Sequence, residues 1–147
     1  MSYQFKFQKV LAIKESEKNQ ILADYKTSVK EFEVAAEALY ESLKKKETLE
    51  ENQRQQLTNG LSIHNIRHQQ YFITGLEKTI MYYQQLVVKA RQKMQHLQML
   101  VTEKNIEVKK YEKMHEKDFM VYEGQLRMIE SQVMDEISIQ QYMNRGK

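Results

Sequence analysis

The residues of this chain that could do chemistry are four histidines and several paired carboxylates. His64 and His68 are four positions apart, which places both imidazoles on one face of a helix, as two ligands of a zinc ion would be. The residues between them are Asn65, Ile66 and Arg67, so no catalytic glutamate accompanies the pair. A cation near a helix N-terminus also meets the positive end of the helix dipole. We therefore expect no metal site.

Neighbouring acidic residues such as Glu50 and Glu51 point in different directions on a helix, so they cannot share a proton or a substrate. The sequence has no glycine-rich phosphate loop, no nucleophile elbow and no cysteine. The basic runs Lys44-Lys45-Lys46 and Lys109-Lys110 are typical of solvated helix faces, with contact to acidic lipid or protein as the alternative. An enzyme is thus the least favoured class, and we expect no catalytic residue and no cofactor.

The composition indicates which elements carry these residues. The 147 residues include no proline, although average usage of about 5% would give roughly seven. Almost every position must therefore tolerate a helical backbone. The net charge of +3 comes from interspersed signs, which indicates no nucleic-acid partner. No apolar run approaches the roughly 18 to 20 residues that span a bilayer, and the N-terminus lacks the apolar core of a signal peptide, so we expect a cytoplasmic protein.

Two heptad-spaced apolar rows predict two helices that pack as a coiled coil. The first row consists of Leu22, Tyr25, Val29, Phe32, Ala36, Leu39 and Leu43. The second row consists of Ile73, Leu76, Ile80, Tyr83, Val87, Ala90, Met94, Leu97 and Val101, and it continues with Val108 and Tyr111. They predict an all-α fold, a two-helix antiparallel coiled-coil hairpin in one elongated domain over 1–147. The first helix is expected at about 5–58 and the second, longer helix at about 63–140.

The turn between the two helices is expected at 59–62. Gly60 suits a helix C-cap because glycine readily takes a positive φ. Ser62 can accept hydrogen bonds from the first free amides of the second helix. Leu61 and Ile66 have the spacing of a hydrophobic staple, which fixes the angle at which the chain enters the helix.

The register of the hairpin follows from the apolar rows, because the numbers of facing residues in an antiparallel pair add to a constant. We expect a sum of 119, which sets Leu22 against Leu97 and brings Glu15 towards Lys104. The alternative sum of 126 sets Leu22 against Lys104 instead. Because the sum of 119 pairs large apolar residues across the helices, whereas the sum of 126 pairs a leucine with a lysine, we favour 119.

The C-terminal part of the second helix is expected to overhang the first helix from about residue 116. His115 follows Tyr111 by four positions and is itself followed by Phe119 after four more, which is a stutter in the heptad pattern. Beyond it a new row, here named the C-terminal stripe, is expected to lack a hairpin partner: Phe119, Tyr122, Leu126, Ile129, Val133 and Ile137. Lone helices are marginal in water, so the stripe is expected to enter a partner, with fraying or folding back as the alternative.

Three stretches of the chain resemble one protein family. They are Phe5-Lys6-Phe7 with Val10-Leu11 and Glu15, then Gln69-Gln70-Tyr71-Phe72-Ile73-Thr74-Gly75-Leu76-Glu77-Lys78-Thr79-Ile80, and finally Val108-Lys109-Lys110-Tyr111-Glu112-Lys113. With them the chain resembles the FliJ family of the bacterial flagellar type III export apparatus over essentially its whole length. The middle stretch is the most specific of the three.

The resemblance to FliJ implies a coupling protein that works in flagellum assembly and motility. Its implied partners are the hexameric flagellar export ATPase, the cytoplasmic domain of the export gate protein FlhA, and export chaperones. The resemblance also implies a cytoplasmic location, peripherally at the membrane of the flagellar base and held there by partners. The alternative is a generic coiled-coil scaffold or a holdase chaperone of another pathway, since the same periodicity would produce either.

The same resemblance implies where the partners bind. The ends of the chain would meet the ATPase ring, which makes the C-terminal stripe the candidate ATPase surface. Phe72 and Leu76 match the family's gate-binding positions, although Leu76 also belongs to the second apolar row, so core packing is its alternative role. The family patch extends onto positions that here read Thr79 and Tyr83, and onto the first helix, where Ala38, Ser42 and Lys45 depart from its pattern.

Overall fold

The computed structural model of the protein describes residues 2–60 and 62–145. It contains two helices, α1 over Gln8–Thr58 and α2 over Ile63–Arg145. The two helices pack against each other and the described residues include no strand, so the predicted all-α hairpin is confirmed. Helix α1 begins at Gln8 rather than near residue 5, and α2 continues five residues past the expected 140.

Within the described residues the chain divides into two units, and each contains a segment of both helices. Residues 2–19 and 103–145 form what we call the terminal unit, and residues 20–60 and 62–102 form the turn unit. In each unit, rising residue numbers on α1 meet falling numbers on α2, so the two segments are antiparallel. The expectation of one domain stays a prediction.

The turn that joins the helices has the predicted caps. Gly60 has a φ of 83°, the left-handed conformation that a C-cap requires and that favours glycine. The amide of Asn59 donates to the carbonyl oxygens of Gln55 and Gln56, which closes the last turn of α1. At the start of α2 the Ser62 hydroxyl oxygen accepts a hydrogen bond from the amide of Asn65 at 3.4 Å. The staple expected between Leu61 and Ile66 lies outside the described residues, because Leu61 is not among them.

The apolar row predicted on α2 is buried or half-buried along its whole length. Ile73, Ile80, Val87 and Val108 are the most buried side chains of this helix. The residues between them in the row are half-buried, at positions 76, 83, 90, 94, 97, 101 and 111. Helix α2 therefore presents the predicted seam to α1.

Only three of the seven residues of the row predicted on α1 lie in the observed seam. Tyr25, Phe32 and Leu39 lie in the observed seam, but Leu43 is 43% exposed. The seam instead follows these buried or half-buried positions at alternating steps of three and four: Leu11, Lys14, Lys18, Ile21, Tyr25, Ser28, Phe32, Ala35, Leu39, Ser42, Lys46, Leu49 and Gln53. Leu22, Val29 and Ala36 are half-buried beside it.

Serine can occupy this seam because its hydroxyl is satisfied inside the helix. Ser28 is 1% exposed and donates to the carbonyl oxygen of Tyr25 at 2.6 Å. Ser42 is also buried and donates to the carbonyl oxygen of Ala38 at 2.9 Å. Small side chains at these positions leave room for the larger side chains of α2.

The expected register is also wrong. Pairs across the helices are Glu17 with Lys104 at 3.1 Å, Glu31 with Lys93 at 3.2 Å, and Lys46 with Glu77 at 3.5 Å. Their numbers add to 121, 124 and 123, which match neither 119 nor 126. Lys104 thus meets Glu17 and not Glu15. The sum of 119 depends on placing Leu22 in the seam, whereas the observed seam passes through Ile21 and Leu22 lies beside it.

Candidate functional site

The terminal unit begins with an irregular segment at residues 2–7, which precedes α1. Phe5 is buried there together with Leu11 of α1 and Val108 of α2, and Phe7 and Tyr111 pack against this cluster. The Phe5 ring stacks on the imidazole of His115 with ring centroids 4.7 Å apart. The N-terminal segment, as we call residues 2–7, therefore covers α2 at the predicted stutter.

Tyr3 extends this cover onto the C-terminal stripe. Its ring lies 5.1 Å from the ring of Phe119 and 5.1 Å from the ring of Tyr122. Its hydroxyl donates to a carboxylate oxygen of Asp118 at 3.0 Å, and its ring stacks on His115. Burial and this hydrogen bond raise the pKa of Tyr3. The expectation that Phe119 and Tyr122 lack a partner within the hairpin is therefore wrong.

The rest of the C-terminal stripe is exposed. Leu126, Ile129, Val133 and Ile137 have between 38% and 56% of their surface open to solvent. They follow one another at steps of three, four and four, so they share one face of α2. The structure thus presents four large aliphatic side chains together, immediately beyond the point that Tyr3 covers.

An ion-pair cluster also joins α1 and α2 within the terminal unit. Lys104 donates to a Glu17 carboxylate oxygen at 3.1 Å and lies 3.7 Å from a Glu107 oxygen, while Lys14 lies 3.3 Å from Glu107. The hydrogen bond from Lys104 lowers the pKa of Glu17, and the same bond raises the pKa of Lys104. These charges fix the register near the chain ends.

The turn unit carries the two predicted gate-binding residues. Phe72 is 61% exposed and lines a groove of about 500 Å³ with these residues of α1: Glu41, Lys44, Lys45, Thr48 and Leu49. Leu76 is half-buried in the seam, one helical turn away. The structure therefore exposes Phe72 and packs Leu76 in the seam.

The histidines first considered for metal chemistry lie in the turn unit. His64 and His68 are exposed near the start of α2. No group of three or more histidine, aspartate or glutamate side chains able to hold a metal ion occurs among residues 2–60 and 62–145. Within the same residues neither helix is apolar enough over a sufficient length to cross a membrane.

Tyr3 is the residue that the sequence interpretation missed. A signal for it is present in the alternation Tyr3-Gln4-Phe5-Lys6-Phe7, since aromatic residues at every second position are typical of an extended chain with one apolar side. The alternation explains why α1 begins only at Gln8. It also explains how two aromatic rings of one short segment reach the same face of α2.

Comparison with known proteins gives a family for this arrangement. The family described as "Flagellar FliJ protein" matches residues 3–147. A protein of Bacillus subtilis (strain 168) with the same description is 49% identical over 146 residues, which is 99% of this chain and 99% of the relative. No solved structure matches the chain.

Proposed function

Since the chain belongs to the flagellar FliJ protein family and is thus a protein of flagellar export, we propose that it couples the export ATPase to the export gate. In this proposal the C-terminal stripe binds the hexameric ATPase, and Phe72 binds the cytoplasmic domain of FlhA. The chain acts by binding and supplies no catalytic residue. Export chaperones are further partners, and these contacts hold the protein at the cytoplasmic side of the membrane.

The exposed part of the C-terminal stripe is the observation that carries the ATPase contact. Leu126, Ile129, Val133 and Ile137 are large, aliphatic and partly open to solvent on one face. A helix with an uncovered apolar face is only marginally stable in water, and burying each such side chain contributes about 1.5 to 3 kcal/mol when burial is complete. In this proposal the ATPase hexamer supplies the apolar surface that buries this face.

Serine at these four positions tests the ATPase contact. Since the side chains are exposed, the hairpin should remain folded, and we expect binding of the purified ATPase to weaken by about 100-fold. ATPase stimulation should fall with it. The readouts are helical content by circular dichroism, affinity by isothermal titration, and the ATP hydrolysis rate of the hexamer.

A matched control removes the same number of apolar side chains from the opposite side of the same helix. Met120, Val121, Met128 and Ile139 are all exposed and lie away from the stripe. Serine at these four positions lowers helix propensity by the same kind of change. We expect this control to stimulate the ATPase like the wild type. Equal loss in both variants, or full stimulation by the stripe variant, would refute the ATPase contact.

The gate contact is carried by the exposure of Phe72 beside a groove rimmed by Lys44 and Lys45. An exposed aromatic residue beside an apolar groove is the kind of anchor that dominates protein interfaces. Phe72→Ala should weaken binding of the FlhA cytoplasmic domain by about tenfold or more while leaving ATPase binding unchanged. Tyr71→Ala is the control, because Tyr71 is the adjacent aromatic residue and is also exposed. A gate affinity that both variants lower equally would contradict a specific role for Phe72.

The location at the membrane is proposed to depend on these partners. A net charge of +3 with interspersed signs gives weak attraction to anionic lipid. The purified protein should therefore leave phosphatidylserine-containing vesicles unbound at physiological ionic strength, where surface charges are screened within about 8 Å. Vesicle flotation measures this. Binding of the protein alone would instead favour direct membrane association.

A further inference from the structure

A second apolar groove lies between α1 and α2 in the turn unit and is not used by the proposed function. It has a volume of about 590 Å³. We call it the alanine groove, and its floor is formed by Val34, Ala35, Ala38, Tyr83, Leu86 and Ala90. The three alanines have short side chains, so the floor is recessed between the larger side chains around it. Val34 is among the exposed large hydrophobic residues of the chain.

The rim of the alanine groove is positively charged. Lys30, Lys89 and Lys93 line it, and the one acidic residue that lines it is Glu31. Glu31 is paired with Lys93 at 3.2 Å, so its charge is compensated within the rim. Two lysines therefore remain to attract an anionic ligand. Together the floor and the rim fit an amphipathic helix that has acidic residues beside its apolar face.

The chain itself carries such a helix in residues 123–145. The acidic residues of this segment are Glu123, Glu130, Asp135 and Glu136, and its basic residues are Arg127 and Arg145. At 100° per residue, Glu130 and Glu136 lie on opposite flanks of the exposed apolar face that runs from Leu126 to Ile137. The sign of these flanks is opposite to that of the alanine groove.

We propose that the alanine groove of one copy binds the C-terminal stripe of a second copy. The stripe side chains from Leu126 to Ile137 enter the groove, and Glu130 and Glu136 face its lysines. Each copy offers one groove and one stripe, so the contact joins unlike surfaces of two copies, and association rises with concentration. In the free protein this contact keeps the C-terminal stripe covered by the alanine groove of a neighbouring copy. This inference is independent of the proposed function, since it concerns the isolated chain.

Charge reversal tests the proposal with the full-length protein in sedimentation equilibrium. Wild type should self-associate in a concentration-dependent manner, and rising salt should weaken the association because the flanking charges are screened. Lys89→Glu and Glu136→Lys should each weaken it by about threefold to tenfold. In the double variant the charge is reversed both at groove position 89 and at flank position 136. The two positions therefore attract each other again, and the association should recover. A merely structural effect of either substitution would not be rescued in this way.

Lys26→Glu is the matched control, because Lys26 is an exposed lysine of α1 that does not line the groove. This control should associate like the wild type. A wild type that stays monomeric at millimolar concentration would overturn the proposal. So would a weakening by Lys26→Glu equal to that by Lys89→Glu, or a double variant that is weaker than both single variants. None of these three outcomes measures ATPase binding, which is assayed separately.

Discussion

Replacing Ser28 with leucine tests the observed seam of α1 most severely. The apolar row expected from sequence places Val29 in the seam and leaves Ser28 beside it, whereas the structure buries Ser28 to 1% exposure. If the row expected from sequence were correct, position 28 would lie beside the seam and tolerate a larger side chain. Leucine would then stabilise α1 through its higher helix propensity. In the observed seam it adds two non-hydrogen atoms at a position that faces α2.

The expected cost follows from this burial. Overpacking a close-packed contact costs about 1 to 3 kcal/mol, while the better helix propensity of leucine returns about 0.3 kcal/mol. We therefore expect Ser28→Leu to lower the free energy of unfolding by about 1 to 2.5 kcal/mol. Ser28→Ala should be nearly neutral, because the Tyr25 carbonyl that accepts the serine hydroxyl is itself part of the helix.

Urea unfolding followed by circular dichroism at 222 nm measures these changes, with Ser16→Leu as the control. Ser16 is an exposed position of the same helix, so its variant should lie within about 0.5 kcal/mol of wild type. The slope of the transition must stay constant for the comparison to hold. If Ser28→Leu stabilises the protein as much as Ser16→Leu does, Ser28 does not lie at the helix contact and the observed seam is wrong.

Three further changes have defined outcomes. Gly75→Ala and Gly124→Ala should each raise the free energy of unfolding by about 1 kcal/mol, because a Cβ at either position meets nothing within 4 Å; a loss in urea unfolding would contradict this. Gly60→Ala should lower stability by about 1 kcal/mol because of its positive φ, and an unchanged urea midpoint would refute the C-cap. The pKa of Glu17 is lowered in the folded state, so its contribution is present above the ordinary value of 4.5 and is lost as the pH falls through the folded value. Glu17→Gln should thus be less stable than wild type at pH 7, with a difference that shrinks in acid; a difference independent of pH would contradict the pairing with Lys104.

The overall architecture could be predicted because it depends on features that act locally. The absence of proline, the apolar row of α2 and the Gly60-to-Ser62 turn each specify backbone conformation without reference to distant residues. Helix α2 begins at Ile63 as expected, and its row is buried as expected. Helix type and the turn therefore follow from the sequence alone.

The contact between the helices could not be predicted in the same way. A pattern based on apolar residues assigns Leu43 to the seam and passes over Ser28 and Ser42, yet the serines are buried because their hydroxyls bond to their own helix. The run Lys44-Lys45-Lys46 is expected to face solvent, although Lys46 sits in the seam and pairs with Glu77 across it. Register depends on such satisfied polar residues.

The candidate ATPase surface likewise could be predicted from the sequence only in part. The apolar residues of the C-terminal stripe could be found from their spacing, and four of them are exposed as expected. The cover over Phe119 and Tyr122 depends on Tyr3, which is more than 110 residues away in sequence. The apolar periodicity of one helix carries no information about a contact with a residue so distant in the sequence.

Photo-crosslinking to the export ATPase tests the coupling account most directly. A benzophenone amino acid at Val133 lies on the C-terminal stripe, and the same group at Met128 lies on the other side of α2 with similar exposure. If the C-terminal stripe binds the ATPase hexamer, a crosslink to the hexamer forms from position 133 and little or none forms from position 128. Crosslinking from position 128 alone, or from neither position in a complex that stimulates ATP hydrolysis, would contradict it.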